Sequence, residues 1–296
     1  MLHRLMNYIS ELSRRGLLAA LLVTIICCGC TGNGQAAGAD APPKDGQLEA
    51  VFLDVGKGDC ILLSMGGQHI LVDAGYEETA DHVLRELDDR GVESIDAMII
   101  THYDKDHVGG AAEIAQRIPV GTFYLPAYTG EEDKCRDILQ MIEKEDLHAV
   151  RVEEDTELAL DAATIRVDAA LIPYDSVEKN DNNASLIVEI YLGEDEWLLP
   201  GDIEKDAIGV WLENRTDTFD ILKLPHHGKK EKNTDELIET VSPGIAVITD
   251  SEEDEAGPKV LKNLEESGAK VLRSSVDGTI TIRGDGTENY EVLTGE

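Results

Sequence analysis

From Leu48 onward the chain is built of short apolar blocks whose period changes from place to place. Leu48–Asp54, Cys60–Met65 and His69–Asp73 are brief apolar runs separated by Gly56-Lys57-Gly58-Asp59 and Gly66-Gly67. Runs of that length between glycine turns predict strands, so the domain opens on an antiparallel set. Over Glu77–Arg90 the spacing becomes helical, with Val83, Leu84 and Leu87 on one face and Gly91 as the stop. Asp96–Ile100 is Ile-rich and apolar, and predicts a buried strand. Further helices are predicted over Val108–Arg117, Glu131–Glu145, Lys205–Asn214, Thr234–Val241 and Lys259–Ser267. Strands are predicted over Ala163–Leu171, Ser185–Tyr191, Trp197–Leu199, Phe219–Leu224 and Gly244–Thr249. With no repeat, low-complexity tract or linker-like break after Gln47, residues 48–296 form one domain of mixed α/β class.

The first 47 residues do not share this patterning. Arg4, Arg14 and Arg15 precede the apolar run Leu17–Ile26 and then Cys27-Cys28-Gly29-Cys30, the order of a basic region, an apolar region and a small-residue cleavage site. Residues 1–29 therefore read as a signal peptide. Gly29-Cys30 resembles the lipobox of bacterial lipoproteins, with Cys27 where Leu is usual and Cys28 as a second candidate. The resemblance implies a mature chain starting at a diacylated Cys30. An uncleaved anchor is the alternative, although a run this short is marginal for a hydrocarbon core about 30 Å thick. Either way the body of the protein is expected to be extracytoplasmic and tethered to the cell membrane. Residues 30–47, rich in Gly, Ala, Asp, Pro and Lys without apolar periodicity, read as a flexible tether.

Composition changes this picture in two respects. The 296 residues are 42% hydrophobic but only 4% aromatic, so aliphatic side chains must fill the core. Sixty acidic residues against 26 basic ones give a net charge of −34, which excludes broad electrostatic binding of nucleic acid, since phosphate neutralisation needs Lys and Arg. A nucleic-acid substrate would have to be gripped locally. Beyond the N-terminal segment only Cys60 and Cys135 remain; they could pair in an exported domain, but Cys60 lies within Cys60-Ile61-Leu62-Leu63 and reads as a small core residue.

The chemistry sits at the ends of strands. Asp96–Ile100 runs directly into Thr101-His102-Tyr103-Asp104-Lys105-Asp106-His107-Val108-Gly109-Gly110, an H-x-D-x-D-H cluster of the side chains that hold Zn²⁺ or Mn²⁺. Ile70-Leu71-Val72 ends on Asp73, Trp197-Leu198-Leu199-Pro200-Gly201 on Asp202, and Ile221-Leu222-Lys223-Leu224-Pro225 on His226-His227. An Asp after a strand is commonly a turn or cap residue. Four strand ends that all finish on His or Asp are best explained by convergence on one metal site.

These segments, together with Phe52–Asp59, Asn182-Asn183-Ala184-Ser185-Leu186 and Asp277-Gly278-Thr279-Ile280, resemble the metallo-β-lactamase superfamily, and within it the extracellular domain of ComEC-type DNA-uptake proteins. They fall in the family's order and span nearly all of the chain from Leu48. The resemblance implies a four-layer αββα sandwich with one or two divalent ions, Zn or Mn, along one edge. It assigns His102 to the first metal site and Asp106 and His107 to the second. Asp202 would bridge them, and one of His226 and His227 would complete the second; His226, immediately at the strand end, is the one expected. Asp73, Asn182 and Asn183 would orient the ligands from outside. Asp104 stands where a second His is usual, and the Asn182-Asn183 region where a third is, so the first site is richer in oxygen. His227 would then be free to give a proton to the leaving group, beside Asp106 at the catalytic ion.

The activity implied is hydrolysis of a phosphodiester, in nucleic acid or in a phosphorylated wall or lipid component, by an exported enzyme with no obligate protein partner. The alternative is a non-catalytic binding module built around a degenerate site. Lys57 and Lys223 are possible anion contacts but read as surface lysines.

Overall fold

The computed structural model describes residues 43–129, 132–176 and 180–295. The predicted signal peptide, Cys30 and the predicted tether up to residue 42 lie outside them. Among the described residues no helix is long and apolar enough to cross a membrane.

Among the described residues fifteen strands form two mixed sheets. In chain order they are β1 (Leu48–Phe52), β2 (Ile61–Met65), β3 (Gln68–Val72), β4 (Ile95–Ile99), β5 (Val120–Pro126), β6 (Ala149–Val152), β7 (Thr156–Leu160), β8 (Ala163–Asp168), β9 (Ile187–Leu192), β10 (Asp195–Leu199), β11 (Ile221–Lys223), β12 (Ile245–Ile248), β13 (Lys270–Arg273), β14 (Ile280–Gly284) and β15 (Tyr290–Thr294). One sheet runs β15-β14-β1-β2-β3-β4-β5-β6 and the other β13-β12-β11-β10-β9-β8-β7. The β1–β3 meander is antiparallel, as the glycine turns predict, whereas β3 to β6 and β10 to β13 are parallel sets.

Helices cover both outer faces: α1 (Ala80–Asp89), α2 (Lys105–Val108), α3 (Ala111–Arg117), α4 (Glu132–Lys144), α5 (Lys205–Asn214), α6 (Thr234–Val241), α7 (Pro258–Ser267) and α8 (Ser274–Asp277). Strand alternation then dictates three apolar layers. Leu48, Ala50 and Phe52 of β1 face Val188, Ile190, Trp197 and Leu199 between the sheets. Val51 and Leu53 turn outward to Val83, Leu87 and Ile114. Leu198, Leu222 and Ala246 turn to Ala207, Trp211 and Leu237 on the opposite side. This is the αββα sandwich expected. Cys60 and Cys135 are free thiols buried in the first helical layer, so no disulfide joins them.

In a parallel set the strand C-termini share one edge of the sheet, and here they carry Asp73, Thr101-His102, Asp202, the His226-His227 turn and Thr249. The Gly109-Gly110 pair lets the metal loop seat against the neighbouring strand end. The His107 carbonyl accepts from Ala74 N at 2.7 Å, and Gly110 N donates to the Gly75 carbonyl at 3.1 Å. A Cβ at Gly110 would fall 2.4 Å from the Ala74 carbonyl oxygen. Backbone must move to accept it, so Gly110→Ala is expected to cost about 1–3 kcal/mol and to lower metal retention with it, because the displaced loop carries Asp106 and His107. A variant with the wild-type melting temperature and metal content would refute this.

Candidate metal centre

Asp73 and Asp59 organise the centre by fixing the outer nitrogens of three imidazoles. His107 Nδ1 lies 2.7 Å from Asp73 Oδ2. Thr101 donates its hydroxyl to the same Oδ2 at 2.7 Å and its N–H to Oδ1 at 2.8 Å, and the Thr101 hydroxyl oxygen is 3.0 Å from His102 Nδ1. On the other sheet Thr249 Oγ1 donates to Asp59 Oδ1 at 2.6 Å and lies 3.0 Å from His227 Nδ1. A hydroxyl whose proton is committed to a carboxylate must accept from the imidazole. Each Nδ1 therefore carries a proton, and each Nε2 presents a lone pair inward, as metal-ligating histidines require.

Those Nε2 atoms converge. His107 Nε2 lies 3.3 Å from Asp202 Oδ2, and His227 Nε2 3.0 Å from the same oxygen and 3.5 Å from Asp106 Oδ2. The two Nε2 atoms are 3.4 Å apart. Donor atoms of His102, His107 and Asp202 lie within 4.8 Å of one another, as do those of Asp106, His107 and His227. His102, His107, Asp202 and His227 are all buried, and His102 Nε2 has no hydrogen-bond partner. With their outer nitrogens tied, three imidazole Nε2 atoms and two carboxylates face one small space, a donor set that fits a divalent ion.

Electrostatics points the same way. Burial pushes His102 down to about 4, helped by His107, so it is a neutral imidazole. Burial also pulls on His107, but Asp202 and Asp73 outweigh it and hold this imidazole well above its ordinary value; Asp202 and Asp106 likewise outweigh burial at His227 and raise it. Burial alone would raise Asp202, yet His227, His107 and Lys223 hold its carboxyl well below the usual range. The carboxylates demand positive charge at their centre.

Three expectations from the sequence are corrected. The first concerns the histidine pair: His227, not His226, enters the cluster. Both residues adopt left-handed backbone, φ 51° and 53°, and that turn sends His226 outward, its Nδ1 3.5 Å from Glu204 Oε1 and 3.6 Å from Glu231 Oε1. His227, expected as the proton donor, lies instead among the carboxylates, its Nε2 3.0 Å from Asp202 Oδ2 and 3.5 Å from Asp106 Oδ2. Left-handed non-glycine residues cost of order 1–3 kcal/mol each and gather at functional sites; Asp73, at φ 58°, is another. The second concerns Asn182 and Asn183, which do not touch the imidazoles. Asn183 Oδ1 accepts from Glu204 N at 3.2 Å and Ala207 N at 3.0 Å, capping α5, while Asn182 donates to Glu204 Oε1 at 2.9 Å.

The third concerns the two lysines. Lys223 has 0% exposure, is paired with Asp59 and lies 3.2 Å from Asp202 Oδ1. Lys57, partly exposed at the mouth, is 2.9 Å from Asp106 Oδ2. Burial works against its charge, but Asp106 and Asp202 more than restore it, so the ammonium persists. The Asp104 side chain is 29% exposed, its Oδ2 3.9 Å from His102 Nε2. Asp59 and Thr249 have no assigned role in the sequence, although Asp59 closes the Phe52–Asp59 segment that carries part of the family resemblance.

A sandwich of this layering with a His/Asp centre at the strand ends defines a metal-dependent hydrolase, and the metallo-beta-lactamase superfamily pattern matches residues 53–248, so the chain belongs to that superfamily. It is 27% identical over 267 residues to ComE operon protein 3 of Bacillus subtilis, covering 82% of this chain and 34% of that protein. It is 25% identical over 202 residues to Recombination protein 2 of Haemophilus influenzae, covering 67% and 23%. The chain thus spans about a third or less of the length of these relatives. Among solved structures, YhfI of Bacillus subtilis aligns with TM-score 0.54 at 14% identity over 80% of this chain and all of that one. Igni18, a metallo hydrolase of Ignicoccus hospitalis, aligns with TM-score 0.53 at 17% identity over 79% and 98%. At such identities the structures speak for the fold alone.

Proposed function

We propose that the chain is a phosphodiesterase, exported and held at the membrane by lipid on Cys30, with Asp106, His107, Asp202 and His227 as its principal metal ligands and His102 completing the centre. The observation that carries this reading is the convergence of three Nε2 lone pairs, their outer nitrogens locked, on Asp202 and Asp106. When bound, a divalent ion, Zn²⁺ or Mn²⁺, supplies a water acidified from 15.7 towards about 7 and polarises the bond under attack. The protein's own part is orientation. Asp73 and Asp59 hold the imidazoles, directly or through Thr101 and Thr249, so that little reorganisation is needed during reaction. Lys57, charged and partly exposed beside Asp106, offers N–H to a non-bridging phosphoryl oxygen, the local grip that a chain of net charge −34 needs.

A phosphodiester agrees with the similarity to competence proteins, and the substrate class extends to wall or lipid phosphoesters. Chelated protein reloaded with Mn²⁺ or Zn²⁺ should hydrolyse bis-p-nitrophenyl phosphate, and Lys57→Ala should raise KM by removing the anion contact and lower kcat with it, since the same ammonium holds Asp106 at 2.9 Å. Inactivity with either metal, nucleic acid included as substrate, would leave the binding-module reading. Export rests on the sequence of the first 30 residues. Cys30→Ala should shift the protein from the membrane fraction to the medium or leave an uncleaved precursor, and wild-type protein found soluble in the cytoplasm would refute it.

A further inference from the structure

The outward turn of His226 places it in a second constellation that the hydrolytic centre does not use. We propose that Glu204, His226 and Glu231 form a separate divalent-cation site at the rim of the metal centre. Their donor atoms lie within 4.8 Å of one another. His226 Nδ1 is a buried atom with no hydrogen-bond partner, and it points between two carboxylates at 3.5 and 3.6 Å. Those separations are too long for hydrogen bonds of useful strength, but they are the spacing that ligands keep around an ion about 2.0–2.2 Å from each.

Two further features suit a ligand set better than a chance ion pair. Glu204 is fixed from outside, Asn182 Nδ2 donating to Oε1 and Asn180 Nδ2 to Oε2, each at 2.9 Å; outer hydrogen bonds of this kind orient a coordinating carboxylate. Of the nearby lysines, Lys230 pairs with Asp235 at 2.6 Å and Lys229 with Asp254 at 3.4 Å, while Lys205 and Lys230 act on Glu231 only in part, burial and Glu204 still raising its carboxyl. Two carboxylates and one imidazole select a borderline ion of the Mn²⁺ or Zn²⁺ type over Mg²⁺ or Ca²⁺, which prefer oxygen alone. The His226 and His227 rings are 6.4 Å apart, so a cation here sets positive charge next to the centre, where a polyanionic substrate would lie. That role rests on the phosphodiesterase reading; the site itself does not.

The test is a Mn²⁺ titration of the full chain after chelation, with free Mn²⁺ read by its electron paramagnetic resonance signal. Wild type, Glu231→Gln and Asp202→Asn are compared, with folding checked by circular dichroism. Glu231→Gln should bind one equivalent fewer than wild type, or bind it at least about tenfold more weakly. Asp202→Asn, which disturbs the hydrolytic centre, should retain the equivalent that Glu231→Gln loses. Should Glu231→Gln fail to fold, Glu204→Gln reads the same equivalent. Identical isotherms for wild type and the folded glutamate variant would overturn the rim site. An unchanged isotherm for Asp202→Asn would instead count against the hydrolytic centre while leaving the rim site standing.

Discussion

His227→Ala should reduce metal-dependent hydrolysis by at least about 100-fold, the upper range seen when only an outer partner of a ligand is lost, whereas Asp104→Ala should leave measurable turnover. His227 Nε2 is within 3.5 Å of Asp106, His107 and Asp202 together, so its removal takes a donor from the midst of the cluster and exposes the facing carboxylates to one another. Asp104 is 29% exposed and 3.9 Å from His102 Nε2, a position that tunes the neighbouring imidazole without closing the cluster. Initial rates on bis-p-nitrophenyl phosphate at saturating metal decide the matter. Equal losses in the two variants would mean that Asp104 is as necessary a ligand as His227.

Lys223→Met should be the most destabilising single change near the centre. Lys223 is wholly buried between Asp59 and Asp202, and its charge is held on against burial by those two carboxylates. Removing one member of a buried ion pair leaves the others uncompensated, at a cost of about 3–5 kcal/mol. For a domain of this size that corresponds to a fall of about 6–20 °C in melting temperature. Adding Asp59→Asn should return part of the loss, because coupled residues are not additive and an amide oxygen can still accept from Thr249. A fall of less than about 2 °C in Lys223→Met, or a double variant worse than the sum of its parts, would show that the lysine is not the counter-charge described.

The sequence made the core of this fold legible and left its margins unread. Lys205–Asn214 and Thr234–Val241 form helices over the spans their patterning predicts, because apolar faces at helical spacing have few alternative ways to be buried. The strands it missed are of two kinds: β5 and β14 lie inside the first sheet, whereas β6, β7, β13 and β15 are sheet edges. β7, Thr-Glu-Leu-Ala-Leu, and β15, Tyr-Glu-Val-Leu-Thr, are sheet edges with solvent-facing positions, and their short mixed patterns resemble loops. β13, Lys-Val-Leu-Arg, is also an edge.

Within the site, Asp73, His102, Asp106, His107 and Asp202 could be found because each follows an apolar strand directly or lies in the loop after one. The choice between His226 and His227 could not, since two successive left-handed residues reverse the direction that strand periodicity would give. Lys223 had a signal that went unused. Ile221 packs between the sheets and Leu222 against the helices, so strand alternation places residue 223 inward, where a lysine must find carboxylates. Asp59 and Thr249 come from segments 190 residues apart in sequence, and only the meeting of the two sheets makes them partners.

The central claim is that Asp106, His107, Asp202 and His227 hold a divalent ion. The most direct measurement is the metal retained per chain, by elemental analysis after dialysis, for wild type and folded His227→Ala side by side. The account predicts that wild type keeps at least one equivalent of Zn²⁺ or Mn²⁺ more than the variant; equal metal content in two chains of equal fold would contradict it.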